Sequence, residues 1–110
     1  MTKKIDMEKL LREFPTFEQH IMEELQDEEY QREYLRIHVE EFAKDGDYAI
    51  FFKGLERVIK ARTSVSKFAR DIKINRSNLT NILKGKVKPS FYTVVKILEG
   101  LDAKIDVKFG

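Results

Sequence analysis

Residues 64–90 read SVSKFARDIKINRSNLTNILKGKVKPS, and the periodicity of this stretch decides the fold class. Val65, Phe68, Ala69 and Ile72 recur at steps of three and four, which marks one buried face of a short helix. Asn75 then offers an N-cap side chain for a second helix, whose buried face is Leu79, Ile82 and Leu83. Gly85 closes that helix, and Pro89 bars any helical continuation. Between the apolar positions stand Arg76, Ser77, Asn78, Asn81 and Lys84, residue types that hydrogen-bond base edges or phosphate oxygens. Two short helices around a turn of about four residues, the second with a polar outer face, form a helix-turn-helix arrangement.

The residues also carry a resemblance. SKFARDIKINRSNLTNILKGKVKPSFYTVVKILEGL, residues 66–101, resembles the XRE/Cro-type helix-turn-helix family. The likeness rests on Phe68-Ala69, the opening Asn75-Arg76-Ser77, the exit Gly85-Lys86, and Pro89-Ser90 before a leucine-bearing helix. Residues 27–63, DEEYQREYLRIHVEEFAKDGDYAIFFKGLERVIKART, are similar to the leader of addiction-module antidote proteins, the HigA-type antitoxins. Those place a Tyr-Leu helix and a Gly-Asp turn ahead of the motif. Together the likenesses span residues 17–101. Two positions depart from the pattern. Val65 stands where the family commonly has a Gln that touches a phosphate. Lys73 stands where many members have a turn Gly, and a non-Gly residue in left-handed geometry costs on the order of 1 kcal/mol.

Composition bounds the rest. A chain of 110 residues holds one domain with a modest core. No apolar run approaches the roughly 18 residues that span a membrane. The opening MTKKIDMEKLL turns amphipathic and acidic at once, unlike a signal peptide, and Cys is absent, which excludes disulfides and thiolate metal sites. A cytoplasmic protein is expected. The net charge of +2 hides a division. Residues 1–47 hold 7 Lys/Arg against 14 Asp/Glu, a net of −7, whereas residues 48–110 hold 14 against 5, a net of +9. A basic half that contains the helix-turn-helix suits nucleic acid, and an acidic half suits a basic protein partner.

The chain divides accordingly into an acidic helical extension (1–47), a helix-turn-helix domain (48–103) and a C-terminal strand or tail (104–110). In the extension, Asp6 reads as an N-cap and Leu10, Phe14, Phe17, Ile21 and Leu25 trace one apolar stripe. Pro15 interrupts it, and Thr16 with Gln19 reads as a capping box, so a kink or two short helices are expected. Asp27 caps a helix reaching to about Lys44, which Gly46 ends. Asp47 caps the next, about Tyr48 to Ala61, the first helix of the five-helix core that the family resemblance implies. Ser90 caps a last helix that Gly100 terminates. KIDVKF then alternates strictly, Ile105, Val107 and Phe109 against Lys104, Asp106 and Lys108. This is strand periodicity, either for pairing with a second copy or for a tail lying on the core.

For Arg76, Ser77, Asn78 and Asn81 the functional reading is contact with bases or phosphates. The bland alternative is ordinary helix surface, with Asn78 supporting the cap. Lys84, Lys86 and Lys88 fall in the exit loop, which in the family runs beside the DNA backbone, so phosphate contact is expected of them. Arg62 and Lys67 are weaker candidates. Catalysis finds no support: His20 and His38 lack ligand companions, the acidic run at 23–29 shows no metal-ligand spacing, and no phosphate-binding loop or nucleophile motif occurs. No cofactor, metal or catalytic residue is expected.

The expected molecule is all-α, an XRE/lambda-repressor-like helix-turn-helix core with an N-terminal helical extension and a short C-terminal strand. It would bind a near-palindromic operator in double-stranded DNA as a homodimer and repress transcription. The antidote resemblance implies a toxin partner of RelE/ParE type. The rival readings are a stand-alone repressor and a protein-interaction module that borrows the fold.

Overall fold

The computed structural model describes residues 16–110; Asp6, Leu10, Phe14 and the interruption at Pro15 lie outside them. Six helices follow one another: α1 (Phe17–Glu24), α2 (Glu28–Asp45), α3 (Tyr48–Arg62), α4 (Val65–Asp71), α5 (Arg76–Leu83) and α6 (Phe91–Gly100). Four of them, rather than five, lie from Tyr48 onward. The long α2 supplies the additional layer by packing along α3.

Most helix starts are set by the expected side chains. The Asp27 carboxylate accepts from the Tyr30 N–H at 3.0 Å, and Asp47 accepts from Ile50 at 3.2 Å. Ser90 Oγ accepts from Thr93 at 3.2 Å. Each side chain thereby satisfies a donor that the helix itself leaves orphaned. Thr16 is the exception. Its backbone (φ −89°, ψ 4°) is not extended as an N-cap requires, and its hydroxyl caps nothing. The expected capping box with Gln19 does not form, although the Thr16 carbonyl accepts from His20 N–H at 2.8 Å.

One core joins the extension to the rest. Leu25 and Leu35 are buried together with Phe51, Phe52, Leu55, Val58 and Ile59 of α3, and with Leu79, Ile82, Ile97 and Leu101. Phe42 of α2 stacks on Phe51 with ring centroids 4.6 Å apart and meets Tyr48 edge-on at 4.8 Å. The α2–α3 pair closes tightly because Gly54 has no side chain. A Cβ there would lie 2.3 Å from Cδ2 of His38. The His38 ring is held over that spot by Nδ1, which meets the Tyr34 carbonyl at 2.8 Å, and by the Tyr34 ring, 4.2 Å between centroids. A carbonyl accepts only, so Nδ1 carries the proton. His38 is therefore a packing residue.

Gly100 does not terminate α6. It is the last helical residue, and it is small because a Cβ would meet Ile72 Cγ2 at 2.6 Å and Phe68 Cζ at 2.9 Å. The left-handed residue that ends the helix is Asp102 (φ 63°). Asp102 N–H donates to Glu99 O at 3.0 Å and Ala103 N–H to Leu98 O at 2.9 Å, the two bonds of a Schellman ending.

No strand occurs among the described residues. Residues 104–110 have no regular secondary structure, and neither expectation for this tail is met within one chain. A lone strand has no ladder partner, and the tail does not lie on the core: Ile105, Val107 and Phe109 are 48%, 70% and 94% exposed.

An ion pair fastens α1 to α3. The Arg57 guanidinium donates to Glu18 through Nε (2.9 Å to Oε2) and Nη2 (2.6 Å to Oε1), and through Nη1 to Tyr34 Oη at 3.1 Å. These hydrogen bonds hold the Glu18 carboxyl below its ordinary 4.5. A lowered folded-state pKa gives stability that is present above 4.5 and lost as pH falls through the folded value. Glu18→Gln is thus expected to flatten the loss of thermal stability on acidification below about pH 4.5, read as the melting temperature across pH 3 to 7 in parallel with the parent. A second outcome follows from the close approach of α2 and α3. Gly54→Ala should cost about 1–3 kcal/mol through overpacking, seen as a lower urea midpoint at constant slope, and His38→Ala in the same chain should recover part of that loss.

Candidate nucleic-acid interface

Helices α4 and α5 are held as a pair by local chemistry at every joint. Ser64 Oγ accepts from Lys67 N–H at 3.1 Å to start α4, and Phe68, Ala69 and Ile72 are buried. The helix ends on Lys73, which adopts the left-handed conformation (φ 60°) although it is not glycine. Lys73 N–H donates to Arg70 O at 3.2 Å and Ile74 N–H to Ala69 O at 2.9 Å. This Schellman ending, with half-buried Ile74 packed on the core, offsets the backbone cost. Asn75 Oδ1 then accepts from Asn78 N–H at 3.2 Å and opens α5. Leu79, Ile82 and Leu83 are buried, which fixes the roll of α5 and turns its other side outward. Gly85 (φ 76°) closes it with bonds from Gly85 N–H to Ile82 O, 2.9 Å, and Lys86 N–H to Asn81 O, 2.8 Å.

At 3.6 residues per turn, the side opposite the buried stripe centres on Ser77, Asn81 and Lys84. Arg76, Ser77, Thr80 and Asn81 line one shallow depression of about 260 Å³. Thr80 was not among the sequence candidates, although its spacing of four from Arg76 places it on the same face. Asn78 does not line the depression, although it is exposed. Lys84, Lys86 and Lys88 are exposed in the segment after α5. The Lys88 ammonium sits 5.0 Å from the centroid of the Tyr48 ring, so a cation–π contact tethers the exit segment to the start of α3.

The two weaker candidates have other occupations. Arg62 donates from Nε to Gln31 Oε1 at 2.7 Å and from Nη1 to Asp102 at 3.0 Å, and is a structural bridge. Lys67 lies 3.5 Å from Asp71 on its own helix. By contrast, among the described residues Arg70, Lys73, Arg76, Lys84, Lys86 and Lys88 take part in no ion pair. Six of the cations left without an ion-pair partner among the described residues thus fall on α4, the turn after it, α5 and the segment that follows, the others being Arg32, Lys96, Lys104 and Lys108. Two of the three cations on α2 are consumed locally: Arg36 bridges Glu33 and Glu40, and Lys44 lies 3.9 Å from Glu41. Exposed Arg32 enters no ion pair among the described residues but is outnumbered by the carboxylates of its helix. The remaining carboxylates leave that face acidic. Among the described residues no three His, Asp or Glu side chains converge on a metal-sized site, and no helix is long and apolar enough to cross a membrane.

This is a small all-helical protein with a polar, cation-bearing short helix on one part of its surface and an acidic long helix on another. A family model described as "probable addiction module antidote protein" matches residues 15–109, and the chain belongs to that family. Antidotes act on a cognate toxin, so family membership implies a toxin partner. An uncharacterized protein of Haemophilus influenzae is 28% identical over 76 residues, 69% of this chain and 77% of the relative. No solved structure matches.

The geometry separates Asn75, whose side chain is spent on the cap, from Asn78 and Asn81, whose side chains make no hydrogen bond among the described residues. Asn75→Ala should lower stability by about 1 kcal/mol. Asn78→Ala and Asn81→Ala should each stay within about 0.5 kcal/mol of the parent, measured by chemical denaturation.

Proposed function

We propose that this antidote is also a sequence-specific repressor of the XRE type, closest in kind to HigA-type antitoxins, and that it represses the operon encoding itself and its toxin. The observation that carries the reading is the coincidence on α5 of exposed Arg76, Ser77 and Asn78 and half-buried Thr80 and Asn81 with cations on either side that enter no ion pair among the described residues. Arg and Asn are the side chains that pair in two-pronged fashion with guanine and adenine edges. Lys84, Lys86 and Lys88 then hold phosphates and set the register. As a homodimer the protein would place two copies of α5 in successive major grooves about 34 Å apart on a near-palindromic operator. Bound there, it would exclude polymerase from the promoter. The work is binding, not catalysis, and belongs in the cytoplasm.

The toxin we have in mind is RelE/ParE-like, and its docking surface is the acidic face of α1 and α2. Glu23, Glu28 and Glu29 are exposed there and enter no ion pair among the described residues, which suits a basic partner.

Selection from a random duplex library at near-physiological salt tests the DNA reading. Enrichment of a palindrome with half-sites one helical turn apart is expected. Asn78→Ala and Asn81→Ala should each then cost about 1–3 kcal/mol and relax the base preference at one position. Lys84→Ala and Lys86→Ala should weaken all sequences alike and reduce the salt slope by about 1 each. If no sequence is enriched and salt removes all retained DNA uniformly, specific readout is refuted.

A further inference from the structure

Among the described residues, the tail after α6 carries an alternating pattern that the fold leaves unused. Ala103 N–H donates to Leu98 O, and from Lys104 onward no backbone hydrogen bond is made among the described residues. Six consecutive residues alternate apolar and charged, and the apolar ones project into solvent. Such a segment carries a full row of unpaired donors and acceptors, a template for another strand.

We infer that two copies of this chain pair through an antiparallel ribbon of residues 105–109, with Val107 on the two-fold axis. The inference rests on the homodimer invoked for operator binding and specifies how it is built. Charge decides the register. With Val107 facing its own counterpart, Asp106 of each copy faces Lys108 of the other, twice, and Ile105 faces Phe109. Opposite charges directly across a ladder are favourable and like charges are not. Centring on Asp106 instead would set Asp106 against itself and Lys104 against Lys108. Centring on Lys108 would set that lysine against itself. Centring on Ile105 also matches charges, but it pairs Phe109 with Leu101 and recruits Asp102 and Ala103, and these three residues are committed to the end of α6. A shift by one residue would place apolar residues opposite charged ones. The Val107 register is the one that uses only the unbonded tail, matches both charges of the ribbon, Asp106 and Lys108, and gathers all three apolar residues of each copy on one face.

A bare two-stranded ribbon is marginal in water and needs an apolar support. The tail springs from a cleft of about 310 Å³ that Leu35, Val39, Leu101 and Ala103 help to line. Val39 is exposed there, so the ribbon's apolar face has a surface to cover at its root.

Sedimentation equilibrium of the full chain, without DNA or toxin, tests the inference. The parent should be dimeric, and Asp106→Lys or Lys108→Asp alone should weaken association by about tenfold or more through two like-charge pairs. The double reversal should restore the parent's association. Because the chain has no cysteine, Val107→Cys should oxidise to a disulfide-linked dimer. Facing residues in either type of antiparallel pair lie about 4.5–5.5 Å apart, within disulfide reach. Asp106→Cys, diagonal to its own counterpart, should crosslink far less. Single reversals without effect, or a double reversal without rescue, would overturn the register; a monomeric parent would overturn the ribbon and leave the tail for a different chain. Association is read here without DNA, so operator selection and this measurement can fail independently.

Discussion

The Arg62 guanidinium is the polar bridge on which the arrangement of the helices depends. It donates to Gln31, whose side chain is buried and in turn donates from Nε2 to the Leu25 carbonyl at 2.6 Å. Leu25 is the last turn of α1, where carbonyls have no partner within the helix. The same guanidinium reaches Asp102, the left-handed residue that ends α6. The end of α3 is thereby linked directly to Gln31 of α2 and to Asp102 after α6, and through Gln31 to the end of α1. The buried Gln31 amide, left without these partners, would bear its desolvation cost unrelieved; the contact with Asp102 lies at the surface. No buried side-chain nitrogen or oxygen is left unsatisfied among the described residues, and Arg62 is a main reason.

Around that bridge, close approach is achieved with glycine. Gly54 lets the His38 ring lie against α3, and Gly100 lets α6 lie against Phe68 and Ile72 of α4. Because α5 packs on both α3 and α4, its outward side is set by contacts that begin as far away as α2. The acidic leader is thus part of the framework that holds the cation-bearing helix, even though its charge has the opposite sign.

What the sequence discloses and what it withholds divide by distance along the chain. Asp27, Asp47, Asn75 and Ser90 act within three residues of themselves, and each caps the helix expected of it. Gly46 and Gly85 likewise take the left-handed conformations expected at helix ends. The faces of α4 and α5 follow from spacing, so most of the candidate site was legible. The failures involve partners far away. Gly100 resembles a terminator until Phe68 and Ile72 are placed beside it, and Arg62 resembles a surface cation until Gln31 and Asp102 converge on it. Thr16 fails locally, because a capping side chain needs an extended backbone and this one is not.

The tail shows a further kind of limit. A helix satisfies its hydrogen bonds internally, so a helical pattern in one chain predicts structure in that chain. A strand satisfies them only with a second strand, so alternation at residues 104–109 specifies what the segment does when a partner is supplied and says nothing of whether one chain supplies it. The absence of strand in the single molecule and the strictness of the alternation are therefore compatible. On the pairing we infer, the pattern is a property of an interface, and its charges, Asp106 two residues from Lys108, suit an antiparallel copy of the same segment as the partner.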